Sequence, residues 1–330
     1  MSTAASVLAT QLRHELTARN RLYARGRAFV ESYGEMPVIV YAPEGSHHGN
    51  FFDPAYQAIL SNPAWLHRFD KMHAQATRSL PKADRRWREL DSSMSSDALL
   101  MNIFCTPDVL ESPKLCGMLG VETRSVPEFG WKARVPLLRS RFDRTEVDMC
   151  LGPLLVEAKL TESDFQSRAK LLVESYRDFD EVFDCDRLPQ IHISVDRNRR
   201  GSEFPENQSQ EFESLLSDPE FQSLIDPLIV SGGQEGYAGY QLIRNVLAAY
   251  DTKSSFCVLH DARRPDLREQ WFRVLAAVRS PQFRTRLKVL TWQELAAHLP
   301  EALQNFLDVK YGIVAPGREP SSISERREDD

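Results

Sequence analysis

An α/β fold is what the sequence predicts, and three stretches predict it. Arg144 to Glu162, RTEVDMCLGPLLVEAKLTE, alternates polar and apolar residues on one side of a Leu-Gly-Pro turn signal, is rich in Leu and Val on the other, and reads as a β-hairpin. Tyr240 to Tyr250, YQLIRNVLAAY, spaces its apolar residues as an amphipathic helix does, and Ser254 to His260, SSFCVLH, is an apolar run of strand length. Around these, the first 90 residues read as a mainly helical region. It opens on an amphipathic helix and has a strand at Pro37 to Tyr41 and helices at Pro54 to Leu60 and Ala64 to Ala76. Ser95 to Cys105 is a helix starting at a Ser or Asp cap, and Phe129 to Leu138 is a strand. After the central stretches come a helix at Trp271 to Val278, a strand at Lys288 to Thr291 and a helix at Trp292 to Leu307. The charged, Ser-rich end, 313–330, reads as a disordered tail.

Composition sets limits on the class. A hydrophobic content of 42% with 27% charged residues is that of a water-soluble globular chain. No run of ~18 apolar residues is present, and the N-terminus lacks a signal-peptide core, so a cytoplasmic protein without a membrane partner is expected. Five cysteines, an odd number with no C-x-x-C spacing, argue for reduced thiols and against zinc. The adjacent His47 and His48 tempt a metal assignment, but neighbouring side chains tend to point apart and no ligand partner stands at a suitable spacing.

The hairpin carries the chemistry. Side chains alternate across a strand, so Glu146 and Asp148 share one face of the first strand. Leu155, Glu157 and Lys159 share one face of the second, with Val156, Ala158 and Leu160 turned to the other. Two carboxylates and an ammonium are thereby gathered on one surface. Carboxylate oxygens suit Mg²⁺ or Mn²⁺, which makes Asp148 and Glu157 candidate metal ligands and the Ala158 carbonyl a third. Lys159 is placed to hold or deprotonate a water and to offset developing charge, with Glu146 as an auxiliary. With 47 acidic and 41 basic residues in 330, the order acid-x8-acid-x-base arises by chance roughly 0.8 times, so spacing alone decides nothing. What adds weight is that all three residues fall in phase on two strands flanking a turn. The competing reading is a surface hairpin with a cross-strand Asp-Lys pair, worth ~0.5 kcal/mol and no function.

At these residues the sequence resembles the PD-(D/E)XK nuclease superfamily. Asp148 stands at the first acid of the motif and Glu157-Ala158-Lys159 at its E-x-K, while Val147 replaces the Pro that the motif's name contains. The resemblance covers Ser95 to Asp261, and the phrases SSDALLMN, VEAKLTE and YQLIRN are similar to bacterial restriction-endonuclease-like proteins. It implies a restriction-endonuclease-like core of helix, three strands, helix and strand within 91–312, with 162–239 holding an insertion. The activity implied is Mg²⁺-dependent hydrolysis of DNA phosphodiester bonds, of restriction or defence type, with RNA as the other substrate and a homodimer as one assembly. Asp97, on the early helix, becomes a further candidate for the metal shell; its simpler role is to complement the helix dipole. The alternative of another class is a non-catalytic nucleic-acid-binding or assembly protein that keeps the hairpin as scaffold.

A net charge of −6 is unusual for a nucleic-acid binder, but its distribution is uneven. His260 to Leu290 holds eight basic residues against three acidic ones, and Arg263, Arg264 and Arg268 are the candidate phosphate contacts there. Arg197, Arg199 and Arg200 form a second basic cluster, and Lys82, Arg85 and Arg86 a linker or a backbone-contacting element. Gln241, at the start of the helix beside the hairpin, is the polar residue that the resemblance would put near a phosphate. Solvated helix faces and helix capping account for the same residues without any ligand.

Overall fold

A five-stranded mixed sheet runs through the computed structural model, which describes residues 3–32, 37–71, 88–138, 141–194 and 233–320. Its strands are β1 (Pro127–Pro136), β2 (Phe142–Leu151), β3 (Leu154–Ala158), β4 (Ser255–His260) and β5 (Leu287–Thr291), lying side by side in the order β5, β4, β3, β2, β1. The first three form an antiparallel meander, and β4 and β5 add in parallel. The β2-β3 hairpin closes on a Leu151-Leu154 pair. Gly152 takes a φ of +57° at the first turn position and the Pro153 ring fixes a negative φ at the second, the type II′ pattern that matches strand twist.

Eight helices matter for the site. They are α1 (Thr3–Tyr23), α2 (Asp53–Ser61), α3 (Pro63–Phe69), α4 (Ser96–Phe104), α5 (Tyr240–Asp251), α6 (Pro265–Ala277), α7 (Trp292–Ala296) and α8 (Glu301–Tyr311). Local chemistry explains several boundaries. Ser95 accepts the Ala98 N–H at 3.1 Å to start α4, and Thr291 and Glu294 form a capping box that opens α7. The single helix expected over Trp292 to Leu307 is two helices, because Pro300 lacks the N–H that a continuous helix needs there. Helix α6 starts at Pro265, six residues before the expected Trp271, since proline is pre-set for a first helical position. Helix α3 ends at Phe69 rather than Ala76, and 72–87, with Lys82, Arg85 and Arg86, lies outside the described residues.

Helices cover both sides of the sheet. Leu242, Ile243, Val246 and Leu247 of α5, with Leu267, Trp271 and Val274 of α6, pack with Leu155, Phe256 and Val258. Leu12 and Leu16 of α1, Leu99 and Ile103 of α4, Trp292 of α7 and Leu303 and Leu307 of α8 pack with Met149, Val156, Cys257 and Leu259. Each such side chain, fully buried, contributes roughly 1.5–3 kcal/mol. Strands β3 and β4 are apolar on both faces in their interiors for this reason; Glu157 is the departure within β3, and Lys159 follows directly after its last residue.

The chain between β3 and α5 builds a small antiparallel sheet of Ser167–Ala169, Gln190–Ser194 and Gly233–Ala238. Residues 195–232, with Arg197, Arg199 and Arg200, lie outside the described residues. Of the expected tail, residues 313–320 are irregular but anchored, since Ile313 and Ala315 are buried against α8 and its neighbours; the remainder is not described. All five cysteines are free, and no described helix is long and apolar enough to cross a membrane.

Candidate active site

Glu157 pairs with Val258 on one side and, by continuing the Met149-Val156 register, faces Asp148 on the other. The ladder between β2 and β3 stops there because the Ala158 N–H turns to the Asp148 carboxylate, donating to Oδ2 at 2.7 Å. Lys159 Nζ donates to Glu157 Oε1 at 2.6 Å, and Asn245 of α5 donates to Glu157 Oε2 at 2.7 Å. The Lys159 main chain is fixed as well: its N–H donates to the Leu259 carbonyl at 2.8 Å, and its carbonyl accepts the Trp292 indole N–H at 2.9 Å. Asp148, Glu157, Ala158 and Lys159 are therefore brought together. Asn245 escaped sequence reading, although its signal was present: it is a polar residue inside the buried, apolar stripe of α5.

Glu146 belongs to a neighbouring group. It accepts from Arg68 at 2.6 Å and Lys71 at 2.8 Å, and Arg68 also pairs with Asp97. Strict alternation fails between Glu146 and Asp148, because the β1-β2 ribbon turns over there. Phe129 and Met149 enter one core and Trp131 and Val147 the other. The turnover sits at Gly130, opposite Asp148, with a φ of +63°. Any Cβ on it would lie 2.7 Å from Arg68 Nη1, so this glycine gives Arg68 its approach to the acids. Nothing in the local pattern of 1–90 announces Arg68; it reaches the site only through the packing of α3 on β1.

Electrostatics separate the carboxylates. Burial pushes the Asp148 carboxyl well above its usual range, and the neighbouring charges of Glu157 and Asp97 push it further, against Lys159 and the Ala158 N–H. Glu146 moves the other way: burial is outweighed by Arg68 and Lys71, and its carboxyl lies below the ordinary value. For Lys159, burial is likewise outweighed, by Glu157, Glu162 and Asp148, so the ammonium is held protonated. Burial and the two neighbouring acids thus favour the protonated form of Asp148, in a place where Lys159 and Arg68 are the cations that act on it.

The remaining predicted residues lie elsewhere. Arg264 is fully buried, donating to Asp266 at 2.8 and 2.9 Å and to the carbonyls of Glu162 and Ser163. In place of a phosphate contact, it ties the start of α6 to the loop after β3. Arg263 donates to both Asp261 oxygens, to Glu15 and to the Tyr311 carbonyl. Arg268 is exposed, over the Phe272 ring at 5.6 Å, and is free to meet a ligand. Gln241 is half-buried, its N–H donating to the Phe165 carbonyl at 3.0 Å. His48 pairs with Asp91 and His47 with Asp53, in separate environments.

An α/β protein with a half-buried aspartate beside a buried glutamate-lysine pair, at the edge of a strand pair, is the class that fold and site define. The family model described as restriction endonuclease associating with ARP matches residues 17–312, and the chain belongs to that restriction-endonuclease family. No curated protein and no solved structure matches the chain.

The donors suit a hard divalent ion in kind: oxygen ligands, one of them in a field that a cation would relieve. Among the described residues, no three acidic, His or Cys side chains are already disposed to hold one. Protein donors hold both Glu157 oxygens, and Arg68 holds Asp97 and Glu146, so loading an ion means exchanging one of these contacts.

Proposed function

We propose that the protein is a Mg²⁺- or Mn²⁺-dependent DNA endonuclease of restriction or defence type, with a PD-(D/E)XK site. The observation that carries this reading is Asp148 beside Glu157 on adjacent strands, with Lys159 on Glu157 and a second acid, Asp97, acting on Asp148. The order α4, β1, β2, β3, α5, β4 supports it, being the superfamily's helix, three strands, helix, strand. Asp148 and Glu157 would hold the ion, with the Ala158 carbonyl as a third donor. The ion supplies polarisation of a phosphoryl oxygen and acidification of a water. Lys159, protonated, would donate to an attacking water and offset charge gathering on the phosphate. Asn245 and the main-chain contacts of Lys159 keep these groups from swinging apart.

A second reading, a non-catalytic binding or assembly role, is favoured by the internal neutralisation of Glu157 and Glu146 and by the family's described association with ARP. One assay separates the two. Wild type is incubated with plasmid, linear duplex, single-stranded DNA and RNA in Mg²⁺, with EDTA as blank, beside Asp148→Ala, Glu157→Ala and Lys159→Ala. The nuclease reading expects metal-dependent cutting lost in all three; a pure wild type that binds DNA and cuts nothing favours the scaffold.

A further inference from the structure

Next to the carboxylates stands a pair of cations that the mechanism above leaves unused. Arg168, on the strand Ser167–Ala169, and Arg244, on α5, both lie against the Tyr240 ring, their guanidinium carbons 5.3 and 5.5 Å from its centroid. The ring is fixed: its hydroxyl is 3.0 Å from that of Tyr176, which donates to Asp143 at 2.6 Å. Among the described residues neither arginine makes an ion pair, although Asp143 and Glu157 act on Arg244 through space and keep it charged, whereas burial and Arg244 itself act against the charge on Arg168. Arg168 donates to the Ser167 carbonyl at 3.0 Å and Arg244 to the Glu146 carbonyl at 3.4 Å, and the Nε of each is buried without an acceptor. This is unlike Arg263 and Arg264, whose carboxylate partners are in place.

Two guanidinium groups at one ring repel each other, and a buried donor without an acceptor is costly. A shared anion removes both penalties, and the guanidinium fork fits phosphate oxygens in particular. Location points to which phosphate. Arg244 precedes Asn245, the residue that holds Glu157, and touches the carbonyl of Glu146, two residues before Asp148. We propose that Arg168 and Arg244 form a cradle for one backbone phosphate of a nucleic acid, beside the phosphate presented to Asp148 and Glu157. Its position next to that second phosphate rests on the nuclease reading; the cradle itself does not.

The test is binding of a labelled DNA duplex to the full chain in EDTA, followed by anisotropy over a range of salt. Arg168→Ala and Arg244→Ala should each weaken binding by about tenfold. Because one phosphate is shared, the double variant should be little weaker than either single one, with a slope of log affinity against log salt shallower by about 0.9. Arg168→Lys and Arg244→Lys guard against misfolding: they keep the charge, lose the planar fork and should bind more weakly at nearly the wild-type slope. Inorganic phosphate, at fixed ionic strength, should raise the melting temperature of wild type more than that of the double variant. Wild-type affinity and slope in the double variant, or wild-type affinity in both lysine variants, would overturn the cradle while leaving metal-dependent cutting untouched. A phosphate response with undiminished duplex binding would overturn the backbone assignment in favour of a small phosphorylated ligand. A wild type that binds through these arginines but cuts nothing would keep the cradle and remove the nuclease reading.

Discussion

The β2-β3 hairpin and the start of α6 are both rich in charge, and both attract attention in the sequence, yet they have opposite electrostatics. At α6, Asp261 receives Arg263 and Gln293, and Arg264 meets Asp266 and two carbonyls; each charge has its complement. At the hairpin, Asp148 is half-buried beside two further acids, and its hydrogen bond comes from a backbone amide. Balanced charge holds a fold together. Charge kept out of balance in a buried place is costly, and its natural complement is a ligand.

The largest effect expected from this contrast is catalytic. Asp148→Ala and Glu157→Ala should abolish Mg²⁺-dependent cutting, and Lys159→Ala, which spares both acids, should lower it by about 10²-fold or more, measured as initial rates on one substrate. Arg264→Ala should show the other behaviour. It strands Asp266 and two carbonyls and should lower unfolding free energy by ~3–5 kcal/mol in a urea titration, while the salt slope of DNA binding stays as in wild type. A shallower slope would mean that this arginine meets phosphate after all.

Smaller effects sharpen the comparison. Asp148 binds its proton more tightly in the folded chain than in the unfolded one, so between the ordinary carboxylate range and its raised folded value stability should fall as pH rises. Asp148→Asn keeps an acceptor for the Ala158 N–H and removes that loss. Melting curves across pH should therefore show it more stable than wild type near neutrality, by ~0.5–2 kcal/mol, with the difference shrinking toward acid. A variant less stable at every pH would say that the Asp148 charge is matched. The smallest change is expected at Arg268→Ala, which should flatten the salt slope by about 0.9 without altering stability.

Legibility in the sequence follows the same division. The hairpin, α5 and β4 were readable because their determinants are local: a turn signal, a period of two, a period of 3.6. Asp148, Glu157 and Lys159 met for the same reason, since the phase of two short strands fixes which side chains share a face. Arg68 was invisible, because it depends on α3 packing on β1 and on a glycine opposite Asp148. The turnover at Gly130 hid the separation of Glu146 from Asp148, which alternation alone would not allow. Counting positive charge over His260 to Leu290 misjudged Arg264, since its partners at Glu162 and Ser163 are about a hundred residues away.

The central claim is that the Asp148 imbalance is a place for a divalent ion, and Mn²⁺ titration by calorimetry tests it most directly. Wild type and Arg268→Ala should bind one ion with similar heat, and Asp148→Ala should show none, with circular dichroism confirming that the variant is folded. The same heat from all three proteins would contradict the claim.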